Sequence, residues 1–363
     1  MKVSKLTRRS VLAAAAAATL AFGSAQAEMD LSGETVEWII PYSESGGTAA
    51  WAGFYAPLLS EALPGKPDVV LNFMPGAGST KGANYFQDRV EADGLTIFGS
   101  SGSTQFPYLL DDPRVRYDYR DWNVVLASGT GGVAYLPPDL AEQFENDPNS
   151  LLDVNFIYGS QGATRLDLVP LLAWEMLGLN VEPVFGIKGR GDGRLMFERG
   201  EANIDYQTSS SYLRGVVPLV EAGDAVPMMT WGALNDAGEI VRDPTFPEIP
   251  TFKEVYERMK GEEPSGPAWD AWKAFFIAGF SAQKMVFLPN GATEEMIETY
   301  SNAFERIKAR DDFAEISQDR LGVYPQMTGR TADAALDQAI SVPDEARQFV
   351  KDWLNERYGV SLN

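Results

Sequence analysis

The sequence predicts an α/β protein of two domains, the second inserted into the first. Strand-like runs repeatedly end in small-residue loops that open onto helical periodicity, which is the grammar of α/β units. That grammar breaks off near Gly129 and begins again at Val154, and no long linker or internal repeat lies between. Residues 28–130 and 229–363 are assigned to the first domain and 131–228 to the second, so the chain crosses twice, as in a hinge architecture.

The elements follow in order. Residues 36–40 form a β-rich run stopped by Pro41. Trp51, Phe54, Tyr55, Leu58, Leu59, Ala62 and Leu63 then recur at helical spacing, with Thr48 as N-cap. Pro57 falls inside that helix and predicts a kink or a helix in two pieces. Residues 69–73 and 95–98 read as further strands, followed by Pro75-Gly76-Ala77-Gly78-Ser79 and by Gly99-Ser100-Ser101-Gly102-Ser103-Thr104. In the second stretch a strand at 154–158 leads through Ser160-Gln161-Gly162-Ala163-Thr164 into a helix at 166–177. Shorter units follow at 183–187, 193–199, 203–206 and 209–220. Residues 261–267 read as an exposed polar loop. The tail, 293–358, is mainly helical and opens with Thr293, Glu294 and Glu295.

The N-terminus reads as an export signal. Lys2, Lys5, Arg8 and Arg9 precede a short apolar run, and Ala25-Gln26-Ala27 is a small-x-small cleavage pattern. Thr7-Arg8-Arg9-Ser10-Val11-Leu12 fits a twin-arginine signal, the alternative being a general secretory signal with two arginines. Cleavage after Ala27 removes four of the 30 basic residues and none of the 51 acidic ones, leaving 26 against 51 and a net charge of −25. Such a surface repels nucleic acid and anionic lipid. No later segment is apolar enough to anchor the chain in a membrane.

Two absences narrow the chemistry. Without Cys there is no disulfide, thiolate nucleophile or thiolate metal site, and without His there is no imidazole base or His-ligated zinc. The turn Gly76-Ala77-Gly78-Ser79-Thr80-Lys81-Gly82 misses both the phosphate-loop and the dinucleotide patterns by one residue, and reads as a glycine turn into a helix. No cofactor is expected. Arg190-Gly191-Asp192 reads as a chance triplet.

Three loops share one chemistry. Ser45-Gly46-Gly47-Thr48, Ser100-Ser101-Gly102-Ser103 and Ser160-Gln161-Gly162-Ala163-Thr164 each follow a strand and precede a helix. Loops at the carboxyl ends of strands are where open α/β sheets bind ligands. Glycine exposes backbone N–H groups, Ser and Thr add hydroxyls, and helix N-termini favour negative charge. The plain alternative is that small polar loops are how strands turn into helices. Arg165, one residue past the third loop, either pairs with a carboxylate or is a solvated first-turn residue.

These segments resemble the periplasmic receptors of tripartite tricarboxylate transporters, also called Bug receptors. Residues Pro41 through Ala49 are similar to that family's Pro-aromatic-x-x-Gly-Gly-Gly-Thr-Asp opening, Pro75 through Ser79 to its Pro-Gly-Ala-Gly-Gly turn, and Ala92 through Thr96 to its Pro-Asp-Gly-Tyr-Thr segment. Tyr158 through Gly162, Phe185 through Gly189 and Phe246 through Thr251 continue the likeness in order. Ser45 replaces the first glycine of the family triplet, and Ala49 stands where many members have Asp, which points to a ligand without an amino group.

The resemblance implies a type II periplasmic binding fold, two α/β domains closing over a small organic carboxylate, mono- or dicarboxylic. It implies a monomer in the periplasm that serves membrane transporter subunits of the tripartite tricarboxylate type. The residues expected to bind are Tyr42, Ser45, Gly46, Gly47, Thr48, Ser100, Ser101, Ser103, Ser160, Gln161, Thr164, Arg165 and Gln207. Trp51, Phe106 and Tyr206 lie near the loops and are read as core. A receptor that also signals to a membrane kinase is compatible with this reading. The rival is a secreted enzyme of lyase or glycosidase type working with paired carboxylates, for which Glu44 and Asp205 are the acids nearest the loops.

Overall fold

The computed structural model describes residues 28–235 and 237–362; the expected export signal, 1–27, lies outside them. The strands in chain order are β1 (Thr35–Ile40), β2 (Asp68–Phe73), β3 (Thr96–Ser101), β4 (Asn123–Ser128), β5 (Gly132–Leu136), β6 (Asn155–Ser160), β7 (Asn180–Phe185), β8 (Asp205–Thr208), β9 (Val226–Thr230), β10 (Ala233–Leu234), β11 (Ile240–Val241), β12 (Lys284–Leu288) and β13 (Gln326–Met327). Among the described residues no helix is long and apolar enough to cross a membrane.

Six strands make the large sheet, in the order β13-β4-β12-β3-β1-β2. β1 pairs in parallel with both β2 and β3, whereas β12 runs antiparallel to β3 and β4. The chain moves outward from β1 to β2 and then returns past β1 to β3, so the winding reverses between β1 and β3. The loops leaving the carboxyl ends of β1 and β3 therefore part there, opening a crevice. β12 enters the sheet at the same edge, with Lys284 opposite Ser101.

Residues 132–230 build the smaller half, a three-stranded antiparallel sheet β8-β5-β9 and a parallel pair β6-β7. Helix Phe252–Lys260 packs on this half, against helix Leu168–Leu177 and β9. Helix Pro267–Phe280 bridges the two halves, touching Leu168–Leu177 on one side and Gly102–Leu109, Gly329–Ala339 and Asp344–Tyr358 on the other. Thus one apolar cluster runs continuously through both halves, while a second lies under helices Gly47–Ala62 and Glu294–Lys308.

Local structure departs from expectation in instructive places. Helix Gly47–Ala62 runs in one piece through Pro57, and its N-cap is Gly46 rather than Thr48. β3 continues three residues past the expected end and passes at Ser101 straight into helix Gly102–Leu109, whose first turn Ser101 caps by accepting from the Ser103 N–H at 3.3 Å. The glycine turn at 76–79 is real: Gly76, Ala77, Gly78 and Ser79 all have φ between 48° and 140°. Thr293 caps helix Glu294–Lys308 as expected.

The smaller half is organised around a buried cation. The Arg190 guanidinium donates to Asp167 at 3.1 Å and to Asp205, and it lies 4.8 Å from the rings of both Tyr158 and Tyr206. Burial opposes its charge, yet Asp205 and the neighbouring groups hold it firmly protonated. Tyr135 and Gln207 donate to the second oxygen of Asp205. Arg190→Met would leave two carboxylates in the core without a cation, at a cost of about 3–5 kcal/mol. Urea denaturation should show that loss, whereas a change under 1 kcal/mol would mean that the pairs carry little.

Candidate functional site

Where the two halves meet, a small cavity of about 20 Å³ is lined by residues from both. The large-sheet half contributes Tyr42, Gly46, Gly47, Thr48, Ser101, Ser103 and Gln283, and the smaller half Gln161, Leu166, Gly189, Arg190 and Thr208. Helix Gly47–Ala62 begins here from one side and helix Arg190–Glu198 from the other, and neither has a side-chain cap. First-turn N–H groups without intrahelical partners are therefore directed at one space from two directions, with partial positive charge behind each.

Hydroxyls complete the wall. Ser101 Oγ donates to Tyr42 OH at 2.7 Å, and the phenol also meets Thr104 Oγ1. Ser103 Oγ spans the halves, donating to Gln161 Oε1 and accepting from Leu166 N–H, both at 3.3 Å. Burial pushes the Tyr42 phenol above its ordinary range, so it stays neutral and can donate. The arrangement offers many donors and no free carboxylate.

Glycine makes the approach possible. A Cβ on Gly47 would lie 2.5 Å from Thr208 Oγ1; on Gly189 it would strike Ser43 Oγ, and on Gly191 the Ser45 carbonyl. Each collision is across the boundary between the halves. Gly46, by contrast, has nothing nearer than 3.8 Å.

These observations fix the architecture. A structure of a periplasmic transporter overlays with a TM-score of 0.65 at 18% identity, covering 91% of this chain and 98% of that one. The periplasmic binding protein BugD gives 0.63 at 18% identity, with 90% and 98% covered. MatC from Rhodopseudomonas palustris, with bound malate, gives 0.61 at 15% identity, with 87% and 98% covered.

The fold is that of a periplasmic binding protein.

No protein family profile matches the sequence, and no curated protein does. The likeness to the binding-protein structures is thus one of fold.

On this binding-protein fold, seven of the thirteen expected residues line the cavity: Tyr42, Gly46, Gly47, Thr48, Ser101, Ser103 and Gln161. The others are placed differently. Ser100 points to the opposite side of β3, as alternation requires, and its hydroxyl meets Tyr119 OH. Ser160 Oγ accepts from Gly162 N–H and shapes its loop. Gln207 is spent on Arg190 O, Asp205 and Ser211. Ser45 lies at the rim, donating to Asp192 across the boundary at 3.3 Å. Thr164 and Arg165 line a second, larger cavity of about 430 Å³ on the far side of Gln161. Arg165 is not a solvated first-turn residue, since only 2% of it is exposed. Of the acids considered for an enzyme, Glu44 is exposed and Asp205 is bound to Arg190, so they do not face one another in the cavity. Trp51, Phe106 and Tyr206 are core.

Sequence reasoning missed Leu166, Gly189, Arg190, Thr208 and Gln283 as cavity-lining residues. Gly189 and Arg190 follow β7 and Thr208 ends β8, and neither stretch carries the Ser-Gly pattern. Next to Gln283, Lys284 is buried in β12 opposite Ser101 and Ser128, and burial alone pulls its ammonium down to about 7.

Two predictions follow from this geometry. In the unfolded chain Lys284 titrates near its ordinary value of about 10.4. Between about pH 7 and pH 10 the unfolded chain therefore holds more protons than the folded one, so stability rises with pH through that window. Lys284→Met should raise the melting temperature markedly at pH 7 and little at pH 10; an equal gain at both would show that the charge is not the cost. Among the glycines, Gly47→Ala and Gly191→Ala should weaken ligand binding by about tenfold or more, a loss of about 1.4 kcal/mol. Gly46→Ala, whose added Cβ would make only ordinary van der Waals contacts, should bind nearly as wild type. Calorimetric titration ranks the three.

Proposed function

We propose that this protein is an extracytoplasmic receptor that captures a small organic carboxylate and delivers it to a membrane transporter of the tripartite tricarboxylate type, as a member of the Bug receptor family. The single observation that carries the reading is the pair of uncapped helix N-termini, one from each half, opening on one cavity lined with backbone and hydroxyl donors. A hydrogen bond to a charged group contributes about 1.5–3 kcal/mol. Five or six such bonds, less the cost of ordering and association, leave roughly the 8 kcal/mol of micromolar affinity. The fold neighbours support the ligand class: MatC holds malate, and a second R. palustris protein holds adipate, at a TM-score of 0.61 and 17% identity, with 86% of this chain and 97% of that one covered.

The cavity has room for about one water. A carboxylate group enters only if the halves part and close again around it, which is hinge motion. We place the domains at 28–130 with 229–363 and at 131–228, with helix Phe252–Lys260 packed onto the second. The expected export signal directs the receptor to the periplasm, where a surface of such high negative charge keeps it soluble; we take it to act as a monomer.

A thermal-shift panel tests the function. A ligand at a hundred times its dissociation constant stabilises by about 2.7 kcal/mol, so the right organic acid should raise the melting temperature by several degrees. Ser101→Ala should diminish that shift. A shift with neutral sugars and none with any organic acid would refute the carboxylate reading.

A further inference from the structure

Arg165 is the buried cation that the donor cavity leaves unused. Its Nη2 donates to the Ala77 carbonyl at 2.7 Å, across the boundary between the halves, while its Nη1 is buried without a partner among the described residues. No described acid forms an ion pair with it: Asp112, the acid whose charge it feels, is engaged by Arg114 Nε at 2.8 Å. Burying a guanidinium without a counter-charge is costly, and a methionine of similar length would fill the same space at no such cost.

The surrounding chain is nevertheless shaped to hold the charged group. The backbone turn at Ala77, Gly78 and Ser79 wraps the guanidinium so closely that a Cβ on Gly78, at φ +61°, would collide with its Nε. Arg165 forms part of the wall of the 430 Å³ cavity together with Arg114, Thr164 and Gln161. Gln161 is also a wall of the donor cavity, so the two spaces stand one side chain apart. Among the described residues no acid lines either of them.

We infer that Arg165 is a second anion subsite, which takes the far carboxylate of a dicarboxylate whose near carboxylate sits among the helix N-termini. This rests on the carboxylate reading above and narrows it. The ligand's second charge supplies what the fold omits: an oxygen acceptor for Nη1 and a negative partner for a buried cation. The planar fork of arginine suits a carboxylate at both oxygens.

Calorimetric titration with length-matched pairs, succinate against butanoate and adipate against hexanoate, decides the matter. In the wild-type protein one dicarboxylate should bind about 10- to 100-fold tighter than its monocarboxylate, the factor that one charge-assisted contact supplies. Arg165→Met should abolish that preference by weakening the dicarboxylate alone, and Arg165→Lys should restore part of it. Equal weakening of both acids in Arg165→Met would make the residue a structural clasp and overturn the proposal. So would a wild-type protein that binds both members of each pair equally, a result that needs no variant to fold and leaves the carboxylate receptor standing. If no acid of either kind binds, the receptor reading itself fails.

Discussion

Donors from two halves of a chain can meet in one small space only where nothing projects between them, and the glycines at the boundary meet that condition. Gly47 lies against Thr208, Gly189 against Ser43 and Gly191 against Ser45, each so near that one added carbon would hold the halves apart. Because they close to this distance, the first turns of helices Gly47–Ala62 and Arg190–Glu198 face the same cavity. Backbone N–H groups are short donors that cannot swing away. A site made from them is accurate only when the backbone itself approaches the ligand. The reversal of winding between β1 and β3 supplies the crevice, and the glycines supply the closeness.

The electrostatics have the same origin. The chain carries 51 acidic residues against 30 basic ones, an unpromising host for an anion. Yet the acids near the site are already engaged: Asp167 and Asp205 hold Arg190, and Asp112 holds Arg114. Among the described residues, what remains buried beside the cavities without an ion-pair partner is the cation Arg165, along with the helix termini. Net charge governs solubility and long-range encounter, whereas the local field at the cavity is set by groups within a few ångströms. A negative protein can thus contain a positive gap.

Much of this was legible in the sequence. The strand-loop-helix grammar placed β1, β2, β3 and β6 to within a few residues, because their apolar runs are bounded by Pro and Gly. Two of the three Ser-Gly loops supply residues that line the cavity, and the third supplies Gln161. What stayed hidden depends on pairing rather than on local composition. Gln283 reaches the cavity because β12 inserts antiparallel beside β3, a neighbour nearly two hundred positions away in sequence. Ser100 lies off the cavity because β3 runs farther than its apolar run, which turns alternate side chains away. Gly46 and Gly47 look alike in sequence, and only the position of Thr208 separates them. The sequence left Arg165 open between a carboxylate partner and a solvated first-turn residue, because nothing local shows that residues 77–79 fold over it.

The central claim is that helix N-termini from both halves grip one carboxylate. A crystal structure of the protein with a stabilising organic acid tests it most directly. The account predicts carboxylate oxygens at about 3 Å from backbone nitrogens in the first turns of both helices, with Ser101 or Ser103 beside them. An acid bound on one half alone, or seated away from Gly47 and Gly189, would contradict it.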